Sequence, residues 1–269
     1  MQTNNSDAQK LLAARIEDYL KISGRGELVC GNFLTPAEIA YVTLVSRELR
    51  CSDRVLFCGG YGDAERKRAV VVPPFVSELD GDLEENTRAC FPEEMGCAVK
   101  AVRITGSGYR QLSHRDYLGS ILALGIERSS LGDVVVLSEH SAVVFCTDKM
   151  LDFLISGIER IGSDKVAVEE FIPDGDFAAK REMQTIRDTV ASERLDCVVG
   201  ALTNLSREKA QALIRSGLCE VNYLMEQRVD VTVKAPCTVT LRGYGKYNVV
   251  AFDGETKRGR LRLVAQKYV

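Results

Sequence analysis

The chain has 269 residues, of which 45% are hydrophobic and 27% charged, a composition that suits two or three soluble domains. No run approaches the ~20 apolar residues of a membrane-spanning helix, and no basic segment followed by an apolar one opens the chain. The net charge is −3, so a nucleic-acid binder would need a local basic region. We therefore expect a cytoplasmic protein without a membrane partner.

The first 88 residues are predicted to form a helical region that includes a basic hairpin. Residues 7–20 place four apolar side chains on one helical face. A second helix should begin after Thr35, because Thr35, Pro36 and Glu38 have the spacing of a capping box with proline at the first helical position. It is expected to run to about Leu49.

The hairpin is predicted from strands at residues 54–58 and 68–72 around the polar turn GGYGDAERK. The glycines fit neither the dinucleotide nor the P-loop fingerprint, because neither required spacing is present. A flexible turn is one interpretation. The other is that the turn is a mobile tip whose Arg66, Lys67 and Arg68 contact RNA.

Residues 89–172 are predicted to form a ferredoxin-like, RRM-like middle domain. Strands at 98–104, 134–137, 142–146 and 166–172 alternate with helices at 113–124 and 149–161 in the order β-α-β-β-α-β. The strands AVRIT and VVVLSE carry no aromatic residue, so we do not expect RNA on the usual RRM face. His114, Arg115 and Asp116 lack the kinase asparagine five residues later, and they should instead begin the first helix, with Arg115 exposed.

A polar, partly helical linker is predicted at residues 173–191, before a C-terminal domain of residues 192–269. Ser192 and Ser206 are expected to cap two short helices, the second ending at Gly217. Short strands should follow at 219–222, 229–233 and 239–242. The overall class is α+β.

Basic residues make this C-terminal domain the candidate for phosphate binding. Residues 193–269 carry a net charge of +5, whereas the remainder carries −8. Arg194, Arg207, Lys209 and Arg215, together with the helix N-terminus at Ser206, could hold a phosphate backbone. Scattered surface arginines are the alternative. The basic tail RGRLRLVAQ fits a solvated edge strand and an RNA contact equally well.

The nine cysteines include no C-x-x-C pair, and only His114 and His140 could complete a metal site. Zinc sites and disulfide frameworks have characteristic spacings that are missing here. We therefore expect reduced, mostly buried thiols, no metal and no cofactor.

The pattern R-L-D-x-x-V followed by S-R-x-x-A-x-x-L-I-x-x-G-x-x-x-V-N resembles the S4 domain, two short helices packed on a small β-unit. The resemblance implies that Arg194 and Arg207 contact RNA backbone and that Gly217 supports the fold. Asn222 closes the pattern and joins the candidate RNA-binding residues with Ser206. One departure is Ala235-Pro236-Cys237, which replaces the usual Gly-Asp turn.

Four further stretches resemble the bacterial YlmH family: FLTPAE at 33–38, GGYGDAERKR at 59–68, HRDYLGSILALGIERSSLGDV at 114–134 and LRGYGKY at 241–247. This resemblance implies a non-enzymatic factor of ribosome-associated quality control, a monomer off the ribosome. Its partners would be rRNA of the large subunit, tRNA and a factor that tails nascent chains. An RNA-modifying enzyme guided by the S4 domain and a cell-division scaffold are the alternatives.

Overall fold

The computed structural model describes residues 3–179, 181 and 183–268, which form two compact units, Met1–Lys180 and Arg181–Val269. Both units combine helices with antiparallel sheets, so the predicted α+β class is confirmed. Among the described residues no helix has the length and apolar character needed to cross a membrane. The finer division into a helical region, a middle domain, a linker and an S4 domain stays a prediction.

The first unit opens with two helices, α1 (Thr3–Ser23) and α2 (Pro36–Glu48), separated by strand β1 (Val29–Leu34). The predicted capping box is confirmed: the Thr35 hydroxyl accepts from the Glu38 amide, and the Glu38 carboxylate accepts from the Thr35 amide at 2.7 Å. Each partner satisfies an amide that the helix itself leaves unpaired.

The predicted hairpin is confirmed as β2 (Val55–Cys58) and β3 (Lys67–Val71). Strand β1, which was not predicted, pairs with β3 and completes a three-stranded sheet of order β1-β3-β2. Three short helices follow: α3 (Pro74–Ser77), α4 (Leu83–Cys90) and α5 (Pro92–Cys97).

The predicted β-α-β-β-α-β series is confirmed in the second half of this unit. Its elements are β4 (Lys100–Gly106), α6 (His114–Leu122), β5 (Leu131–Ser138), β6 (Ser141–Cys146), α7 (Leu151–Gly157) and β8 (Asp164–Glu170), with a two-residue strand β7 (Arg160–Ile161) before β8. The sheet order is β5-β6-β4-β8-β7, and every neighbouring pair is antiparallel. The first four strands of this order give the arrangement of a ferredoxin-like fold.

Both faces of this sheet are covered. One face packs on α6 and α7 through buried side chains such as Val144. On the opposite face Phe145 is fully buried and stacks on Tyr61, with ring centroids 4.8 Å apart. Phe33 and Phe177 join the same cluster. The face that an RRM offers to RNA is therefore filled by other parts of the same unit.

A glycine permits this close cover. Gly60 has a φ of +91°, and a Cβ at this position would lie 2.6 Å from the Phe145 ring. The left-handed backbone and the tight contact both require glycine. The GGYG sequence is therefore an anchored turn that packs on the sheet.

The second unit is a six-stranded sheet with two helices on one face. Its elements are β9 (Met183–Val190), α8 (Leu195–Thr203), α9 (Arg207–Arg215), β10 (Cys219–Val221), β11 (Leu224–Met225), β12 (Cys237–Leu241), β13 (Gly245–Glu255) and β14 (Leu261–Tyr268). The strand order is β11-β10-β12-β13-β14-β9. The core between helices and sheet includes Leu195, Val198, Ile214, Val239 and Leu263.

Three expectations about the strands of this unit are wrong. Residues 183–190, assigned to a partly helical linker, form β9 and pair with β14 along its length. Residues 229–233 form no strand, although Thr232 and Arg194 make an isolated bridge. The basic tail is not at the edge, because β14 lies between β13 and β9.

Candidate nucleic-acid interface

The two helices of the second unit bring Arg194 and Arg207 together. Helix α8 ends at Thr203, and the next residue, Asn204, has a left-handed φ of +56° that turns the chain toward α9. Ser206 then caps α9 as predicted, accepting from the Lys209 amide. Ser192 does not cap α8: the N-cap residue is Arg194, and the Ser192 hydroxyl lies 3.6 Å from Cys197 Sγ.

Asp196 is the centre of this arrangement. Its carboxylate is fully buried and accepts from Arg194 Nε at 3.1 Å, from Arg207 Nε at 3.1 Å and from Gln211 Nε2 at 2.7 Å. Arg194 makes a second contact through its terminal nitrogen at 3.3 Å. We call these four residues the Asp196 clamp.

The clamp keeps its carboxylate charged. Burial alone would raise the pKa of Asp196, but the hydrogen bonds from Arg194, Gln211 and Arg207 outweigh it, so the pKa lies well below its usual range. One buried negative charge thus faces two guanidinium groups. The clamp carries a net positive charge at neutral pH.

Both guanidinium groups reach solvent from this anchored position. The Arg194 side chain is 38% exposed and that of Arg207 is 64% exposed. A guanidinium has five N–H donors, and Arg207 gives one of them to Asp196. The remaining N–H groups of Arg207 can donate to a phosphate, and anchoring at Nε reduces the side-chain entropy lost on binding.

A cleft of about 350 Å³ opens beside the clamp and is lined by Asp196, Arg207, Asp188 and Arg260, among others. Arg260 is held there by Thr189, whose hydroxyl accepts from its Nε at 3.0 Å. From the sequence, Arg260 was assigned only to the basic tail, which fitted a solvated edge strand and an RNA contact equally well. Its position next to Arg207 depends on the pairing of β14 with β9.

The remaining predicted residues of this unit differ in what they can offer. Lys209 and Arg215 are exposed on α9. Asn222 has a left-handed φ of +49° in the turn between β10 and β11, and its side-chain oxygen accepts from the Thr238 amide at 3.0 Å. The side chain of Asn222 thus braces a turn.

The prediction of a mobile basic tip at Arg66, Lys67 and Arg68 is wrong in its geometry. Arg68 is 6% exposed and donates to the carbonyls of Cys30, Gly31 and Ala98. Lys67 is half-buried.

Arg66 is likewise turned inward. Its guanidinium donates to the carbonyls of Leu131 at 3.0 Å, Arg128 at 3.2 Å and Phe33 at 3.3 Å, and burial lowers its pKa. The carboxylate of Asp133 also accepts from the Arg66 amide at 3.0 Å. These two arginines hold the first unit together.

Asp116 is part of a helix cap, as predicted. Its carboxylate accepts from the Ser113 amide at 2.9 Å and from the Ser113 hydroxyl at 2.6 Å, while Arg115 is exposed. Hydrogen bonding to Ser113 lowers the pKa of Asp116. The His114-Arg115-Asp116 motif therefore starts α6.

The cysteines are free thiols, and four of the nine are buried: Cys51, Cys146, Cys219 and Cys237. Cys90 and Cys97 are exposed, so the expectation of mostly buried thiols holds only in part. Within the described part of the chain no group of three or more His, Cys, Asp or Glu residues could hold a metal ion.

Comparisons with known proteins agree with the sequence resemblance. The family model "Putative RNA-binding domain in YlmH" matches residues 92–173. The ribosome-associated protein quality control protein P2 of Bacillus subtilis (strain 168) is 26% identical over 238 residues, 88% of this chain and 86% of that protein. A solved structure titled cell division protein ylmH from Streptococcus pneumoniae aligns with a TM-score of 0.42 and 15% identity, over 61% of this chain and 87% of that one. The matches to the family model and to the Bacillus relative confirm the resemblance of this chain to the YlmH family.

Proposed function

We propose that this chain is a non-enzymatic RNA-binding factor of the cytoplasm that associates with the large ribosomal subunit and its peptidyl-tRNA during the rescue of stalled nascent chains. The Asp196 clamp carries the proposal, because it presents two anchored guanidinium groups at one surface. Guanidinium groups suit phosphate oxygens in both charge and geometry.

The comparisons support the ribosomal setting. The relative that aligns over 88% of the chain is named as a ribosome-associated quality control protein, and the matched family model describes an RNA-binding domain. Within the proposal, Arg194 and Arg207 contact phosphates directly. Lys209, Arg215 and Arg260 extend the positive surface, and a tailing factor for the nascent chain is a further partner.

Co-sedimentation with purified large subunits across a salt series tests this function. The Arg194→Ala/Arg207→Ala variant should bind more weakly, and its dependence of log K on log salt should flatten by about 1.5, since each lost phosphate contact removes roughly 0.7–0.9. The matched control is Arg25→Ala/Arg47→Ala, which removes the same charge from exposed positions of the first unit. Equal binding by the two double variants would refute the proposal.

A further inference from the structure

The loop between β4 and α6, residues 107–113, carries the most exposed large hydrophobic side chain among the described residues. Tyr109 is 97% exposed and follows Gly108, which has a φ of +86°. One exposed aromatic residue is not unusual by itself. Its surroundings make it informative.

The base of this loop is fixed from three sides. The Asp164 carboxylate accepts from the Ser107 amide at 3.2 Å and also from the Ser107 hydroxyl. His140 Nδ1 donates to the Arg110 carbonyl at 2.9 Å. The amide of Leu112, a buried residue, donates to the Glu139 carbonyl at 2.8 Å. The tip therefore projects from an ordered base, which reduces the entropy lost when it binds.

Two arginines lie close to Tyr109 along the chain. Arg110 follows it directly, and the exposed Arg115 lies in the first turn of α6. Arg110 donates to the Asp116 carboxylate at 3.2 Å and keeps further N–H donors that a phosphate can accept from. An exposed ring with arginines close to it along the chain suits a base with its flanking phosphates.

The aromatic residue on the covered face of the sheet is not available for stacking on a base. Phe145, the aromatic residue of the central strand β6, is fully buried under Tyr61 and Phe177. An RRM stacks bases on such central-strand rings. Here that ring is already occupied by side chains of the same unit.

The geometry points to an unpaired RNA nucleotide as the ligand of this loop, with its base stacked on Tyr109 and its phosphates near Arg110 and Arg115. This inference rests on the proposed function, because it gives the middle domain a share in RNA binding. It names single-stranded RNA as the ligand class.

The absence of tryptophan from the sequence permits a direct test on the full chain. Tyr109→Trp introduces a single reporter, and Ile172→Trp is the matched control at a position 83% exposed in the same domain. Each variant is titrated with a single-stranded RNA of about 12 nucleotides and with a duplex of equal length. Emission reports stacking, and polarisation of labelled RNA reports binding.

We expect saturable quenching for Tyr109→Trp with single-stranded RNA, much less with duplex, and none for Ile172→Trp. In the otherwise natural chain Tyr109→Ala should weaken single-strand binding about five- to tenfold, while Tyr109→Phe should retain it. Binding without quenching, or equal affinity of the Ala variant, would overturn the inference. Equal quenching by duplex would overturn it too.

The two proposals can fail separately. The RNA titrations and the co-sedimentation with large subunits are both repeated with Arg194→Ala/Arg207→Ala combined with Tyr109→Trp. Loss of subunit binding with retained quenching would support both assignments as separate contacts. Unchanged subunit binding with retained quenching would refute the role of the Asp196 clamp and support the loop.

Discussion

Two pairs of arginines show how similar sequence signals lead to different roles. Arg66 and Arg68 lie in a run of three basic residues, and their guanidinium groups donate to backbone carbonyls inside the first unit. Arg194 and Arg207 are 13 positions apart, and both rest on one buried carboxylate at the surface of the second unit. A run of basic residues therefore does not show by itself which side chains reach solvent, because the partners of each guanidinium group decide that.

The largest effect that can test this contrast is expected at Arg68. Arg68→Ala would leave three carbonyl groups without their hydrogen-bond donor. It would also remove the ion pair between Arg68 and the Asp148 carboxylate, whose closest atoms are 3.7 Å apart. We expect a loss of about 3 kcal/mol or more in the free energy of unfolding of the first unit. Urea unfolding measures it, with Lys67→Ala as the control that should change little. Equal effects of the two substitutions would contradict a structural role for Arg68.

The second test separates orientation from charge at the Asp196 clamp. Asp196→Asn removes a negative charge, which by long-range electrostatics alone would strengthen RNA binding. Because the arginines would lose their charged anchor, we expect weaker binding instead, by about three- to tenfold. Affinity for large subunits at fixed salt decides the sign. Tighter binding by the variant would show that orientation is unimportant.

The clamp should also make stability depend on pH in one direction. The pKa of Asp196 is lower in the folded chain than the ordinary value of about 3.9, so its stabilising contribution is complete well above that value. It is lost as the pH falls through the folded pKa. We expect the difference in unfolding free energy between the natural chain and Asp196→Asn to be constant from pH 8 to about 5 and to shrink below about pH 4. Denaturant unfolding at a series of pH values measures it, and a difference that grows on acidification would contradict the clamp.

The smallest effect is expected at Asn222. Asn222→Ala should lower the free energy of unfolding by about 1 kcal/mol, because the turn loses a hydrogen bond and alanine tolerates a left-handed φ poorly. RNA affinity of the folded chain should stay unchanged. Asn222→Gly keeps the backbone conformation and separates the two contributions. A loss of affinity in both variants would return Asn222 to the RNA-binding surface.

Local signals explain what could be predicted. Thr35 with Glu38 and Ser206 with Gly217 mark helix ends through bonds that span a few residues. The middle sheet followed from alternating elements in one order. The S4 sequence pattern identified Arg194 and Arg207 by their positions in the pattern.

Contacts distant in sequence explain what was missed. Strand β9 pairs with β14 across more than seventy residues of chain, and nothing in MQTIRDTV marks that partner. Arg68 was considered as part of a mobile hairpin tip that contacts RNA, but residues 30, 31 and 98 bring carbonyls to it. Gln211 had one available signal, since it follows Arg207 by four positions and shares its helical face.

The place of β14 in the sheet affects when the second unit can fold during synthesis. Among the described strands β9 pairs only with β14, so the first strand of the second unit stays unpaired until the last one has been synthesised. Leu263 and Ala265 of β14 also belong to the core beneath α8 and α9. A nascent chain that stops before Leu261 therefore carries Arg194 and Arg207 on helices without a finished support. Folding of the second unit therefore requires that β14 has been synthesised.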